Sequence, residues 1–273
     1  MMRAGSPGVV IFGAPLDLTS SFRSGMRFAP PQIRLAGEVL EDYSMALERD
    51  VRRVKVIDQG DVELPPGNRD ASLARIEKEG AAAFEKRMPF VALGGEHLIT
   101  LPLVKAALVK YPDLVVLQLD AHADLADTYG GEPLTHATVM RRVAELLEPG
   151  HVVQMGIRSA TADEMAFARD RTVLFPGPPA EVDRALEILA GKPVYLTIDI
   201  DVVDPAFAPG VSTPEPGGWS SGDLFEVLRR MGGLGVVGMD LVEVCPPFDP
   251  AGITSTLAAK VLRESLLTFF YSK

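Results

Sequence analysis

Eight short apolar runs, spaced along the chain with helix-patterned stretches between them, constrain the fold more than any other feature of this sequence. The runs are "GVVIFGAP", "VKVIDQGD", "PFVALGGEH", "LVVLQLDAH", "HVVQMGIRS", "TVLFPG", "PVYLTIDID" and "GVVGMDLVEV". Most are hydrophobic at consecutive positions, the pattern of strands covered on both faces. Segments such as "ASLARIEKEGAAAFEKR", "LPLVKAALVKY", "ATVMRRVAELL", "EVDRALEILA", "SGDLFEVLRRM" and "ITSTLAAKVLRESLLTFF" carry apolar residues at helical spacing. This alternation predicts an α/β fold in three layers, a mainly parallel sheet with helices on both sides. No linker, repeat or composition shift divides the 273 residues, so residues 1–273 are expected to form a single domain.

Ligands of open parallel sheets bind beyond the carboxyl ends of the strands. Four runs end there in polar clusters: "GGEH", "DAHAD", "DIDVVDP" and "EVCPPFD". In an extended segment Asp120, His122 and Asp124 would all point the same way, whereas on a helix His122 would face away from the two acids. Because "LVVLQL" reads as a strand, the extended case is expected, with Ala121 and Ala123 letting the backbone pack closely behind. Asp199 and Asp201 are two apart in the same manner. Adding His97 gives four carboxylates and two imidazoles, and no thiolate.

That set is too large and too oxygen-rich for one structural zinc. Carboxylates with some imidazole suit Mn²⁺ or similar hard ions. Two divalent cations sharing carboxylates would use all six ligands and lower the pKa of a bound water towards about 7. A single aspartate at a strand end commonly just caps a turn. Three of the four histidines lying in motifs beside acids is harder to explain that way.

Composition narrows the rest. The net charge of −10 gives no footprint for nucleic acid, and no Lys/Arg block overrides it. No stretch approaches a membrane span of roughly 20 apolar residues, and no signal peptide is visible. The lone Cys245 excludes an internal disulfide, so a cytoplasmic protein is expected. The stretch "GGLGVVG" lacks the spacing of a dinucleotide fingerprint, and neither G-x-S-x-G nor a P-loop occurs.

"GGEH", "DAHAD", "TIDIDVVDPAFAPG", "TPEPGG" and "DLVEVCP", in this order, resemble the ureohydrolase family, which includes arginases and agmatinases. "SFRSGMRFAPPQIR" looks like the family's N-terminal loop, and "LEDYSMALERDVRRVKVIDQGDVELPPGN" is similar to bacterial agmatinases. The resemblance implies an arginase-like sheet of eight parallel strands, two Mn²⁺ per subunit and a homo-oligomer, trimeric or hexameric. One manganese would be held by His97, Asp120, Asp124 and Asp199, the other by Asp120, His122, Asp199 and Asp201, with Asp120 and Asp199 bridging. It also implies that Glu243 orients a guanidinium group, that Asp124 takes up a proton, and that His136, in "LTHAT", passes one to the leaving amine. Glu96, Ala123 and Thr197 depart from the commonest motif forms without removing a ligand.

The expected substrate is therefore a small cationic guanidino compound. The loop "LADTYGGEPLTH" has no Asn or Ser of the kind that binds an α-amino acid in arginases, but carries Asp127 and Glu132. Agmatine, hydrolysed to putrescine and urea, fits best. Aminopropylagmatine, whose extra charge an acidic loop would accept, arginine, guanidinobutyrate and formiminoglutamate remain open, as does an inactive metal-binding regulator. His151 is expected to be an ordinary hydrogen bonder, Asp204 a turn residue and Trp219 a packed loop anchor.

Overall fold

The eight apolar runs form one sheet of eight strands: β1 Val9–Ala14, β2 Val56–Asp61, β3 Phe90–Gly94, β4 Val115–Leu119, β5 Val152–Met155, β6 Thr172–Phe175, β7 Pro193–Asp199 and β8 Gly235–Val242. These are features of a computed structural model that describes residues 8–271. The spatial order is β2-β1-β3-β8-β7-β4-β5-β6, and every neighbouring pair is parallel. Parallel pairing puts all carboxyl ends on one rim. The four runs with polar endings are β3, β8, β7 and β4, the four central strands.

Two helical layers cover the sheet because residues alternate along each strand. Val9 and Ile11 pack into a core under α1 (Ala29–Gly37), α6 (Val182–Leu189), α7 (Ser221–Arg230) and α8 (Ile253–Phe269). Val10 and Phe12 pack on the other side under α2 (Arg69–Glu85), α3 (Thr100–Lys110), α4 (Val139–Leu146) and α5 (Ala162–Arg171). Helices α1 and α5 lie outside the stretches picked out by apolar spacing. The first is nine residues long with Pro30 and Pro31 in its opening turn, a position proline tolerates. The second buries only Glu164 and Ala168, and its start is instead marked by the Thr161/Glu164 capping box. A two-residue antiparallel ladder, Tyr43–Ser44 with Arg49–Asp50, completes the described strands.

One row of this sheet is polar and fully buried. Gln154, Gln118, Thr197 and Asp240 are paired in register across β5, β4, β7 and β8, and each has 0% exposure. Unpaired groups of this kind cost about 1–3 kcal/mol each. Here they bond to one another and to the rim above.

Candidate active site

The chain leaves β3 through Gly94 and Gly95 into a short 3₁₀ turn, His97–Ile99, which aims His97 inward. Only glycine fits that exit. A Cβ on Gly94 would stand 2.5 Å from Val242 Cγ1, and one on Gly95 1.9 Å from the Leu16 carbonyl oxygen. Asp120 is the first residue after β4, and Asp199 is the last of β7.

The two local geometries differ from simple extension. "DAHAD" stops being a regular strand at Leu119, His122 makes an isolated bridge to Ser159, and Asp124 takes a left-handed φ of 53°. The Asp124 carbonyl accepts from Met140 and Arg141 N–H, which holds it in that conformation. Asp201 lies in a 3₁₀ turn, Ile200–Val202, whose N–H at Asp201 donates to Asp199 Oδ1 at 2.9 Å. The carboxylate itself therefore makes the turn that brings the second acid round.

The six predicted ligands nevertheless converge. His97 Nδ1 lies 3.1 Å from Asp120 Oδ2, 3.0 Å from Asp124 Oδ2 and 3.6 Å from Asp199 Oδ2. His122 Nδ1 lies 2.9 Å from Asp201 Oδ2 and 3.8 Å from Asp120 Oδ1. Two groups able to hold a metal ion result, His97/Asp120/Asp124 and Asp120/His122/Asp201, overlapping at Asp120. Asp199 sits beside the first group but completes neither triad.

Hydrogen bonds from the buried polar row orient these side chains. Thr197 Oγ1 donates to Asp240 Oδ1 at 2.6 Å, and Thr100 Oγ1 and Tyr195 OH donate to Asp240 Oδ2. With its proton so used, Thr197 Oγ1 can only accept from His97 Nε2, 2.9 Å away. Nδ1 then carries the lone pair among the carboxylates. A second relay runs from Thr172 Oγ1 to Gln154 Oε1, from Gln154 Nε2 to Gln118 Oε1, and from Gln118 Nε2 to Asp120 Oδ2.

These contacts test whether a metal fits. His97 Nδ1 is buried and has no aligned hydrogen bond among the described residues, although three carboxylate oxygens surround it. Burial, then the charges of Asp201 and Asp124, push Asp120 up to about 7. Burial and the same neighbourhood raise Asp199 well above the carboxylate range. Burial alone would lower His122, but the Asp201 charge lifts it to about 10. Buried acids crowded around the His97 and His122 ring nitrogens are the environment that cations relieve, and the oxygen-rich donor set fits hard divalent ions.

A cavity of about 280 Å³ opens over the cluster, lined also by His136 and Glu243. Glu243 follows β8 directly, with φ 67°. Its Oε1 accepts from His97 N–H at 2.7 Å, while Oε2 is buried without a hydrogen-bond partner among the described residues. Burial pushes this carboxyl up to about 8. His136 opens the 3₁₀ turn His136–Thr138 before α4, and burial lowers its imidazole below the usual value.

The acidic loop does not serve as its sequence suggested. Asp127 Oδ1 accepts from Arg142 Nη2 at 2.7 Å and lies 3.2 Å from Arg141 Nε, and Glu132 pairs with Arg69 at 3.2 Å. Both are ordinary surface ion pairs, and neither lines the cavity. His151 bonds the Leu114 carbonyl, Trp219 Nε1 donates to the Gly177 carbonyl, and Asp204 accepts from Ala206, Gly217 and Gly218 N–H, the minor roles expected of them. Cys245 is buried, and burial pushes its thiol up to about 12. Motif reading gave no role to Glu96 or Thr213, although both lie in quoted motifs, and missed Thr19, which contacts His136, and Ser159 and Ser212 on the cavity wall. Isolated hydroxyl residues in loops carry no pattern that would have found them.

An agmatinase of Bacillus cereus is 44% identical over 263 residues, covering 95% of this chain and 91% of that protein. A guanidinobutyrase of Pseudomonas aeruginosa is 38% identical over 267 residues, covering 93% and 84%. The crystal structure of the agmatine ureohydrolase of Thermoplasma volcanium matches with a TM-score of 0.86 at 33% identity, covering 96% of this chain and 89% of that one. A model of the arginase family matches residues 7–268, a span holding every rim residue described above, and the chain belongs to the arginase family.

Proposed function

We propose that the chain is an agmatinase-type ureohydrolase that hydrolyses agmatine to putrescine and urea with two Mn²⁺ per subunit. The observation that carries this reading is the pair of overlapping ligand groups sharing Asp120 beneath a cavity that also holds the unpartnered Glu243 Oε2. His97, Asp120, His122, Asp124, Asp199 and Asp201 would hold the metals, which when bound supply Lewis acidity and a water of lowered pKa.

The chain's own residues do the rest. Glu243 Oε2 accepts N–H groups of the guanidinium and fixes the plane of its carbon over the cluster, a charge-assisted contact. Asp124 takes up the proton released when water adds to that carbon. His136 carries a proton to the departing nitrogen, which leaves as an amine rather than as an unstable anion. Urea and a primary ammonium ion account for every atom, and for the charge, of guanidinium and water.

The cavity wall supports the cationic tail. Among the described residues lining it there is no Lys or Arg, while Glu215 joins the cluster acids and Glu243. A carboxylate tail, as in guanidinobutyrate or arginine, has no counter-charge there. Urea release from agmatine, aminopropylagmatine, arginine, guanidinobutyrate and formiminoglutamate by the manganese-loaded protein is the test. Agmatine is expected to be preferred; a better rate with arginine or guanidinobutyrate overturns the tail assignment. Stoichiometric manganese binding without hydrolysis of any of them would identify an inactive regulator instead. No helix among the described residues is long and apolar enough to cross a membrane. A cytoplasmic homo-oligomer, trimeric or hexameric, acting on a small molecule rather than on nucleic acid, belongs to the same proposal.

A further inference from the structure

The Thr19 hydroxyl joins His136 to a buried carboxylate outside the proposed ligand set. Thr19 Oγ1 lies 3.0 Å from Glu96 Oε1 and 3.2 Å from His136 Nδ1, and accepts the His136 backbone N–H at 3.0 Å. Glu96 is fully buried, with no cationic side chain paired to it among the described residues. Its Oε2 accepts the Leu18 and Thr19 N–H groups at 2.6 and 2.7 Å.

Proton counting then decides the state of His136. A hydroxyl has one proton and two lone pairs. The His136 N–H takes one lone pair. The proton can go to Glu96 Oε1 or to His136 Nδ1; Glu96 Oε1 is the nearer, and the two backbone N–H groups on its Oε2 hold this carboxyl group as an acceptor. Nδ1 must therefore donate to the remaining lone pair, so the neutral ring keeps its proton on Nδ1. Nε2, which makes no hydrogen bond among the described residues, is left as an acceptor. Tyr129, packed edge-on with ring centroids 5.5 Å apart, restrains the ring.

We propose that Thr19, itself oriented by Glu96, is a positioning residue that locks His136 in the tautomer with Nδ1 protonated and Nε2 free for the cavity. The proposal rests on His136 handling a proton in the reaction above. In this tautomer Nε2 accepts the proton that Asp124 took from the water, becomes imidazolium, and gives it to the leaving nitrogen as the C–N bond breaks. The opposite tautomer would present an N–H where an acceptor is needed.

The manganese-loaded protein tests this with Thr19→Val, Thr19→Ser and Glu96→Gln. Thr19→Val should lower kcat by about 10²-fold, the cost of a misplaced reacting group, with KM and manganese content near wild type, and Thr19→Ser should restore most of the rate. Proton–nitrogen correlation spectra of ring-labelled histidine, recorded with diamagnetic Mg²⁺ in place of paramagnetic manganese, should show His136 with Nδ1 protonated in the wild type. Glu96→Gln puts an amide donor against the hydroxyl, so the hydroxyl must donate to Nδ1 and the spectrum should switch to protonated Nε2. A wild-type ring protonated on Nε2, an unswitched Glu96→Gln spectrum, or equal losses in Thr19→Val and Thr19→Ser would overturn the proposal. A wild-type protein inert towards every guanidino compound would instead sink the functional reading, and the spectra would still decide the tautomer.

Discussion

Nε2 of His97 and Oγ1 of Thr197 lie 2.9 Å apart, and through that contact Asp240, which reaches none of the proposed metals, governs how His97 presents its other nitrogen. Thr197→Val removes the acceptor while keeping the shape. Manganese affinity should fall roughly 10–100-fold, the usual cost of losing such a partner, while Thr197→Ser stays close to wild type. Calorimetric titration of chelator-stripped protein measures it, and equal affinity in Thr197→Val would refute the orienting role.

A second expectation concerns stability. Gln154→Leu leaves the Gln118 Oε1 and the Ala123 carbonyl without their partners, while the Thr172 hydroxyl falls back on the Ala168 carbonyl. Stranded buried groups cost about 1–3 kcal/mol, and each kcal/mol moves the midpoint of a chain this size by roughly 2–4 °C. Calorimetry should find a lower melting midpoint; an unchanged one would mean that the row is not structural.

Protons and cations compete for the same cluster. In the metal-free protein Asp120 is raised to about 7 and Glu243 to about 8, against unfolded values of about 3.9 and 4.3. Both carboxyls bind protons more tightly when folded. Their stabilisation is complete below pH about 4 and is lost as pH rises through about 7 and 8. His122, raised to about 10, has the same sign. Asp201, which burial would raise but the His122 charge lowers to about 2, has the opposite sign and acts only below this window. Chelated protein should thus melt lower at pH 8 than at pH 5.5, and the gain from added manganese should be larger at pH 8, values chosen from those shifts. The reverse order of either quantity would contradict the linkage.

His136→Ala should lower turnover by about 10²–10⁴-fold, the range for a lost acid–base group. Manganese content should not change, because no proposed ligand is removed. Metal analysis beside steady-state rates separates the two effects, and an unchanged rate removes His136 from the mechanism.

The rim was legible in the sequence because its chemistry is linear. "DAHAD" and "DID" display their ligands within five residues, and burial of the runs before them makes those charges conspicuous. Asp124 escaped the simple extended reading because its left-handed backbone is set by bonds from Met140 and Arg141, which lie on a later helix. Gln118, Gln154 and Asp240 read as single polar interruptions in apolar strands; only the register shows that they form a row. Asp127 and Glu132 misled for the opposite reason. Their partners, Arg142 and Arg69, come from outside the loop, so the loop's own acidity said nothing about its free charge.

Asp124 and Glu243 share the left-handed conformation that non-glycine residues adopt at a cost. Two residues proposed to do the chemistry are thus also two at which the backbone would gain by a change, to Gly or Asn for instance. Selection of this protein for heat resistance alone would favour replacements there, and its hardiest descendants would be the ones least able to turn over substrate.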